Sequence, residues 1–437
     1  MNKHVKTYAI NTFGCQMNAH DSEKLAGILE NMGYLRAAEE ADAGLVIYNT
    51  CCIRENAENK VIGNLGFLKH QKEKNPGLLV AVGGCMPQQE AAAKKIKKAG
   101  VADIIFGTHN LHMFGELLQE ALDTGGKVVS IWSSSDGSDD ITATSVREFP
   151  WRSGVNIMYG CDNYCSYCVV PFVRGRERSR DAGVILKEIE LLLADGVKEI
   201  MLLGQNVNSY GQPGGVAFPD LLRRIAALSV PRIRFMTSHP KDFSKELIHT
   251  IKDCENICRH IHLPVQSGSD AVLTAMNRKY TRVAYLKLLD DIRTALPGIA
   301  VTTDIIVGFP GESEQDFEDT LSLVKEARFS GAFTFLYSKR DGTKAADMAD
   351  VVPAHVAKER FQRLLDTINP IAMDLSREWE GKATHVLVEK LENNMYSGRG
   401  NNNTPVHFPK ISEGLVGQIV PVKINEGKTF YMLGEQL

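Results

Sequence analysis

The chain has 437 residues, of which 43% are hydrophobic and 24% charged, and its formal net charge is −3. This length is too great for one ordinary hydrophobic core, so we expect two or three domains, and the charge excludes a globally basic nucleic-acid-binding protein. No apolar run approaches a membrane span and no signal peptide is evident, so we expect a cytoplasmic protein whose nine cysteines serve metal binding or catalysis rather than disulfides.

The first predicted domain covers residues 1–120 and alternates strand-like runs with helical stretches. Three runs read as strands, each followed by a cysteine and then by a helical stretch: KTYAINT, AGLVIYNT and LLVAVGG. This βαβαβα order predicts a parallel sheet covered by helices. Because the carboxyl ends of parallel strands share one edge, Cys15, Cys51 and Cys85 are expected to converge there, which favours a shared ligand over three separately packed thiols. Cys52 follows Cys51 directly, and spacing alone leaves open which of the two is the ligand.

The second predicted domain covers residues 147–378 and follows a predicted linker, 121–146, that is rich in Ser and Asp. It contains six strand-and-helix units rather than eight. This number predicts a partial (β/α)6 barrel, with its site at the carboxyl ends of the strands. Gln205, Ser238 and Gln266 stand at those ends, where they are candidates to bind either a cofactor or the substrate.

The first strand of this barrel leads into GCDNYCSYC, which contains Cys161, Cys165 and Cys168. Three closely spaced thiols suit a soft metal centre. A structural zinc site normally has four ligands, and the nearest downstream candidates, His239 and Cys254, lie far along the chain. A 4Fe–4S cluster held by only three cysteines leaves one iron open to a substrate or cofactor, and we favour that interpretation.

An arginine stands at every second position of the segment RGRERSR, just after these cysteines. If the segment is extended, Arg174 and Arg176 point to the same side as Arg178 and Arg180, where they could bind RNA phosphates. A solvated face, or salt bridges within the barrel, explains the pattern equally well.

The third predicted domain covers residues 379–437, where short β-like runs are separated by Gly and Asn. The pattern predicts a small antiparallel β-barrel. An RNA-binding domain and a capping domain without a ligand fit it equally well. Arg399 and Phe408 are candidates to follow an RNA backbone and to stack on its bases.

Several stretches spread over all three domains carry a resemblance to a known family: TFGCQMNAHDSEKL, NTCCIRENAENK, GGCMPQ, GCDNYCSYCVVPFVRGRERSR, LLGQNVNSYG, HLPVQSGSDAVLTAMNRKYTR and TDIIVGFPGESEQDFEDT. They resemble the methylthiotransferases, which are radical S-adenosylmethionine (SAM) enzymes. The resemblance runs nearly end to end. It implies an α/β N-terminal domain, a central radical-SAM barrel and a C-terminal TRAM domain, which is an RNA-binding β-barrel.

The resemblance also implies two 4Fe–4S clusters and SAM as cofactors. It implies six cluster ligands: Cys161, Cys165 and Cys168 for the radical-generating cluster, and Cys15, Cys51 and Cys85 for an auxiliary cluster. Tyr167 would lie near the adenine of SAM. One SAM would methylate a sulfur at the auxiliary cluster, and a second would yield the 5′-deoxyadenosyl radical that removes hydrogen from C2 of an adenine, where the methylthio group is inserted.

The substrate that the resemblance implies is tRNA carrying N6-isopentenyladenosine at position 37. The stretches GCQMN and QNVNSYG favour this substrate over threonylcarbamoyl-adenosine in tRNA and over an aspartate of a ribosomal protein. An external electron donor and a sulfur source would be required, no membrane is involved, and we expect a monomer.

Two hypotheses from other classes are a non-catalytic iron–sulfur protein that binds RNA and senses redox state, and a zinc-stabilised RNA-binding protein. The polar residues at the strand ends argue against the sensor, because a sensor needs no substrate cavity. Metal and sulfide analysis distinguishes the zinc protein.

Overall fold

The computed structural model describes residues 6–52, 55–135, 145–211 and 214–437. It contains an N-terminal α/β domain, a partial barrel and a closed β-barrel, in that order along the chain. The predicted fold class is therefore confirmed. Within the described residues, no helix combines the length and the apolar composition that crossing a membrane requires.

The N-terminal domain is a six-stranded parallel sheet covered by helices. Its strands are β1 (Thr7–Phe13), β2 (Leu35–Arg36), β3 (Leu45–Thr50), β4 (Leu79–Gly84), β5 (Ile104–Phe106) and β6 (Val128–Ser130), and its helices are α1 (Gln16–Asn31), α2 (Glu55–Lys74), α3 (Glu90–Ala99) and α4 (Phe114–Thr124). The strand order is β2-β1-β3-β4-β5-β6. Alternate residues of β3 enter two different hydrophobic cores, with Leu45 and Ile47 on one face and Val46 and Tyr48 on the other. Helices therefore cover both faces, which explains why β3 is apolar throughout rather than alternating.

The N-terminal domain extends beyond its predicted boundary at residue 120. Strand β6 pairs with β5 and adds a sixth strand within the segment predicted as a linker. The strand was missed because three residues are too few to show a periodicity. Residues 136–144 of the predicted linker lie outside the described residues.

The middle of the chain forms the barrel domain. Its strands are β7 (Arg152–Asn156), β8 (Met158–Tyr159), β9 (Arg178–Ser179), β10 (Glu199–Leu203), β11 (Arg232–Phe235), β12 (His260–His262), β13 (Ala300–Val307) and β14 (Gly331–Leu336). Its helices are α5 (Val170–Val173), α6 (Ala182–Ala194), α7 (Phe218–Ala227), α8 (Lys245–Asp253), α9 (Asp270–Ala275), α10 (Arg282–Ala295), α11 (Glu314–Ala327) and α12 (Ala354–Arg377).

Six of these strands form the barrel wall as two parallel sheets, β7-β10-β11 and β12-β13-β14. A bridge between Ile233 and Ile257 joins the two sheets, whereas no pairing among the described residues joins β7 to β14. The barrel is therefore partial. Strands β8 and β9 form a separate antiparallel pair beside it.

Strand β12 is short and ends at His262. Pro264 has no N–H to donate to a sheet, so the ladder cannot continue through it. The chain then turns, and Gln266 adopts a left-handed conformation with φ of +70°. Its backbone rejoins β13 through a single bridge to Ile305.

The C-terminal domain is a closed barrel in the order β15-β16-β17-β19-β18. Its strands are β15 (Ala383–Glu392), β16 (Met395–Arg399), β17 (Pro405–Pro409), β18 (Ile419–Gly427) and β19 (Met432–Gln436). All neighbouring strands are antiparallel except β17 and β19, which pair in parallel. Val420, Val422 and Ile424 alternate inward along β18 and fill the core.

The C-terminal domain is attached to the amino ends of the barrel-domain strands. Arg232 and Arg234 each donate to the carbonyl oxygen of Gly400, over 2.9 and 2.6 Å. The carboxylate of Glu199 lies 2.8 Å from the Arg234 guanidinium and 3.2 Å from that of Arg232. The two arginines thus join the domains at the amino ends of the strands. The cysteines lie on the opposite side, at the carboxyl ends.

Candidate metal centres

The first thiol set, Cys15, Cys51 and Cys85, lies at one edge of the N-terminal sheet. Strands β1, β3 and β4 are neighbours, and their last residues pair in register, Phe13 with Thr50 and Thr50 with Gly84. Each cysteine follows its strand end by one or two positions. The topology thereby brings together three thiols that are far apart in the sequence.

A tight turn after β4 places Cys85. Gly84 has φ of +94°, and a Cβ atom there would lie 2.4 Å from the carbonyl oxygen of Thr50. Only glycine fits this position. The close approach lets the backbone N–H of Cys85 donate to the Thr50 oxygen over 2.8 Å.

Two buried asparagines fix the turn that carries Cys15. The Asn18 amide donates to Asn49 Oδ1 over 3.1 Å, and the Asn49 amide donates to the Asn18 carbonyl oxygen over 2.8 Å. The remaining oxygen, Asn18 Oδ1, accepts from Cys15 Sγ over 3.4 Å. These reciprocal bonds hold helix α1 against strand β3, and with it the first cysteine.

Cys52 is completely buried, and its thiol hydrogen-bonds with that of Cys85. The hydrogen bond from Cys52, followed by the charge of Arg174, lowers the pKa of Cys85 below its ordinary value although burial opposes it. Cys51, the residue directly after the strand end, is also buried. Cys52 therefore also lies beside Cys85, and Cys51 stays the predicted ligand.

The second thiol set, Cys161, Cys165 and Cys168, lies in the cysteine loop, residues 160–168, between β8 and α5. The Cys168 N–H donates to the Cys165 carbonyl oxygen over 2.9 Å, and the Cys161 N–H donates to that of Gly175 over 3.2 Å. These bonds fold the loop so that the three thiols interact electrostatically with one another. All nine cysteines lie in the described part of the chain, and none is in a disulfide.

The chemistry of the second thiol set fits a positively charged metal centre. Burial, with a smaller contribution from Cys165, raises the pKa of Cys161 to about 11 and that of Cys168 to about 12. At neutral pH these thiols stay protonated until a metal centre stabilises the thiolates. Across the described ranges, no three His, Cys, Asp or Glu side chains are grouped as ligands of one ion. A cubane cluster differs from that case because each thiolate binds a different iron atom.

Two buried arginines contact the thiol sets. One contacts a sulfur of the first set, and the other contacts a sulfur of the second set. Arg174 Nε donates to Cys85 Sγ over 3.3 Å, and its Nη2 donates to Asp21 Oδ2 over 2.9 Å. Arg278 Nη1 donates to Cys165 Sγ over 3.5 Å. Arg278 and Asp21 were not predicted as site residues, although they lie in MNRKYTR and AHDSEKL, within the stretches that carry the family resemblance.

The segment that follows the second thiol set packs against the first thiol set, across the boundary between the N-terminal and barrel domains. Val169 and Val173, which follow Cys168, pack against Cys52 and Cys85 in one buried apolar cluster. Thr108 of the N-terminal domain donates to the Val173 carbonyl oxygen over 2.7 Å. Arg174 therefore belongs to the segment after the second set and contacts the first.

The predicted arginine stripe does not form. Arg174 and Arg180 are buried, and Arg180 lies 2.8 Å from Glu188. Arg176 is exposed and lies 2.8 Å from Asp162. The prediction that Arg174 contacts RNA is wrong, because a side chain that is 6% exposed and bonded to Asp21 presents no surface to a phosphate. An RNA contact by Arg176 stays a prediction.

Phe408 lies inside the C-terminal barrel rather than on its surface. Its side chain is fully buried, and its ring centroid is 5.6 Å from that of Tyr396. The prediction that it stacks on RNA bases is wrong, because the alternation of β17 turns it inward. Arg399 is partly exposed, lies 3.7 Å from Glu389, and stays a candidate.

The predicted rim residues lie at the carboxyl ends of the barrel strands. Tyr167 packs against a cluster that includes Met276 and Phe309. Gln205 Oε1 and Ser238 Oγ are buried and have no hydrogen-bond partner among the described residues. Leaving such an atom unsatisfied costs about 1–3 kcal/mol, so these atoms fit a site that binds a polar ligand. Gln266 is also buried there.

Three family models match the chain. They are the Radical SAM superfamily over residues 155–324, the Uncharacterized protein family UPF0004 over residues 7–107, and the TRAM domain over residues 377–437. The first match lies within the barrel domain, the second within the N-terminal domain, and the third covers the C-terminal domain.

The chain is similar over nearly its full length to curated bacterial proteins. It is 51% identical to a tRNA-2-methylthio-N(6)-dimethylallyladenosine synthase of Lachnoclostridium phytofermentans, with 99% of this chain and 95% of that protein covered. It is also 51% identical to the synthase of the same name from Acetivibrio thermocellus, with 98% and 90% covered. Among solved structures, a radical S-adenosylmethionine methyltransferase, TsrM from Kitasatospora setae, shares the fold with a TM-score of 0.60 and 16% identity, covering 78% of this chain and 75% of that one.

Proposed function

The chain belongs to the family of tRNA-2-methylthio-N(6)-dimethylallyladenosine synthases, and from this membership we propose that it adds a methylthio group to C2 of N6-isopentenyladenosine, also called dimethylallyladenosine, in tRNA. It is a radical-SAM tRNA methylthiotransferase that uses 4Fe–4S clusters and SAM. The observation that carries the proposal is the placement of two three-cysteine sets on either side of one domain boundary. The chemistry requires two such centres, one to generate a radical and one to hold sulfur.

We assign the radical-generating cluster to Cys161, Cys165 and Cys168. Bound together, this cluster and SAM supply a 5′-deoxyadenosyl radical. The chain's own residues orient and shield that site. Arg278 donates to Cys165 Sγ, and the unsatisfied atoms of Gln205 and Ser238 supply hydrogen bonds to the polar groups of the cofactor.

We assign the auxiliary cluster to Cys15, Cys51 and Cys85. Arg174 donates a hydrogen bond to Cys85 Sγ. This bond and the guanidinium charge both favour the reduced state of the cluster, which carries more negative charge. Asp21 holds the arginine in place from helix α1. Arg174 is therefore a positioning residue for the auxiliary site.

Replacement of Arg174 by Met is expected to move the reduction potential of the auxiliary cluster to a more negative value. The variant loses a positive charge and an N–H donor to a ligand sulfur, both of which favour the reduced cluster. The potential is measured by redox titration with electron paramagnetic resonance, in a background where Cys161, Cys165 and Cys168 are replaced by alanine. Arg176→Met removes an equally charged but exposed side chain and should leave the potential unchanged.

Direct comparison of substrates tests the proposed function. Anaerobically reconstituted protein is given SAM, reductant and a sulfide source. Three substrates are compared: tRNA carrying isopentenyladenosine, tRNA carrying threonylcarbamoyl-adenosine, and a ribosomal protein whose aspartate is the third candidate target. Mass spectrometry should detect a methylthio group only on the first. Formation of 5′-deoxyadenosine without any change to isopentenyladenosine would reject this substrate and keep the radical chemistry.

We propose that the modified nucleoside is at position 37, that an external electron donor and a sulfur source serve the two clusters, and that the enzyme acts as a monomer in the cytoplasm.

Iron and sulfide analysis of anaerobically purified protein, with zinc measured beside them, tests the zinc-protein alternative. Multiple turnovers of SAM to 5′-deoxyadenosine would reject the non-catalytic sensor.

A further inference from the structure

Two aromatic rings are exposed on the cysteine loop and the helix that follows it. Phe172 is 57% exposed and Tyr164 is 37% exposed. Their ring centroids are 6.1 Å apart, at an interplanar angle of 79°. Both rings line a small hollow with Cys165 and Cys168, so they lie beside the second thiol set. We call Tyr164, Phe172, Arg176 and Lys344 the aromatic patch.

The Tyr164 ring is held on the surface by a backbone that disfavours it. Tyr164 has φ of +47°, a conformation in which a side chain other than glycine is strained. The Asn277 side chain stabilises it by donating to the carbonyl oxygens of Tyr164 and Asn163, over 2.9 and 3.2 Å. Strained residues kept in this way are concentrated at functional sites, and burial does not explain this one because the ring is exposed.

Cationic side chains accompany the two rings. Lys344 is exposed and lines the same hollow as Tyr164 and Phe172. Its segment is attached to the cysteine loop by a hydrogen bond of 2.8 Å from the Ala345 N–H to the Ser166 carbonyl oxygen. Arg176 is 77% exposed, lies 2.8 Å from Asp162, and is near enough to Tyr164 to interact with it electrostatically. Rings beside exposed positive charges match the two parts of a nucleotide, its base and its phosphate.

We propose that the aromatic patch stacks the base next to the target adenosine, while Arg176 and Lys344 contact the adjoining phosphates. This inference rests on the proposed function. An adenosine whose C2 reacts at a site beside Cys165 and Cys168 must leave its stack in the anticodon loop. The neighbouring base then loses one stacking partner, and an exposed ring at the mouth of the site replaces it.

The chemistry of the patch favours RNA over a protein partner. A protein interface requires a broad contiguous surface, whereas here two rings are flanked by an arginine and a lysine. The main alternative occupant is an electron-carrier protein that reduces the nearby cluster. That alternative is an outcome of the test below.

The test compares Phe172→Ala with Phe172→Tyr, which keeps a ring. Binding of isopentenyladenosine-containing tRNA is measured by fluorescence anisotropy, and turnover is measured with dithionite and separately with a flavodoxin system. We expect Phe172→Ala to weaken tRNA binding and to raise KM for tRNA by about tenfold, whereas Phe172→Tyr stays near wild type. Thermal unfolding of both Phe172 variants should match that of the wild type. Leu191→Ala, which removes an exposed apolar side chain on helix α6, is the control.

The outcomes separate this inference from the proposed function. Unchanged tRNA binding by Phe172→Ala overturns the inference, whether or not the wild type forms the methylthio product. Loss of turnover only with flavodoxin, with normal binding and normal turnover on dithionite, overturns it in favour of an electron donor. Absence of product from the wild type rejects the proposed function, and the binding measurement still decides the patch. For Lys344→Gln, the plot of log affinity for tRNA against log salt concentration should become less steep, by about the slope that one phosphate contact contributes.

Discussion

Replacement of Cys168 by alanine is expected to abolish both cleavage of SAM and formation of the methylthio nucleoside, each by more than about a thousandfold. Only three cysteines are available to the radical-generating cluster, so the loss of one leaves it without a stable ligand set. Iron should fall from about eight to about four atoms per chain, because the auxiliary site keeps all of its thiols.

Cys254→Ala is the matched control for this prediction. Cys254 is a partly buried thiol at the end of helix α8 that packs against the barrel core. Its variant should keep both iron content and activity. The assignment of the second thiol set would be wrong if Cys168→Ala still cleaved SAM, or if it lost the same iron as a Cys85→Ala variant.

Replacement of Glu199 by Gln is expected to lower the free energy of unfolding by about 3–5 kcal/mol. Its carboxylate is buried between Arg232 and Arg234, and without it two buried guanidinium groups lose their counter-charge. Although burial opposes it, Arg234 and then Arg232 lower the pKa of Glu199. A lowered pKa means that this contribution is present at neutral pH and is lost as pH falls through the pKa of the folded state.

Urea denaturation at pH 7 and at lower pH tests this prediction. Glu190→Gln removes an exposed carboxylate that lies 3.2 Å from Lys187, and it should change the free energy of unfolding by at most about 0.5 kcal/mol. Limited proteolysis should also release the C-terminal domain of the Glu199→Gln variant faster, because both arginines bind Gly400. Equal stability of the two variants would show that this buried ion pair does not support the domain junction.

The architecture could be predicted from the sequence because each domain has its own periodicity. The strand–cysteine–helix repeat placed Cys15, Cys51 and Cys85 at one sheet edge without any coordinates, since parallel strands all end on the same side. Strand β6 could not be predicted, because three residues are too few to show an alternating pattern. It is identified as a strand only by its pairing with β5.

Contacts between domains were not predictable in this way. Arg174 lies 89 residues from Cys85 and 153 residues from Asp21 in the sequence. The residues next to it in the sequence therefore do not indicate whether it binds a buried side chain or an RNA phosphate. Phe408 shows a second limit. A one-residue change in strand register reverses inside and outside, and the β-like run in TPVHF is too short to fix the register.

Deuterium transfer tests the central claim most directly. tRNA carrying isopentenyladenosine with deuterium at C2 is incubated with the anaerobically reconstituted enzyme, SAM, reductant and sulfide. If the radical formed at the second thiol set removes the C2 hydrogen, 5′-deoxyadenosine should gain one deuterium for each methylthio nucleoside formed, and Cys168→Ala should form neither. A methylthio product accompanied only by unlabelled 5′-deoxyadenosine would contradict the proposed reaction at C2.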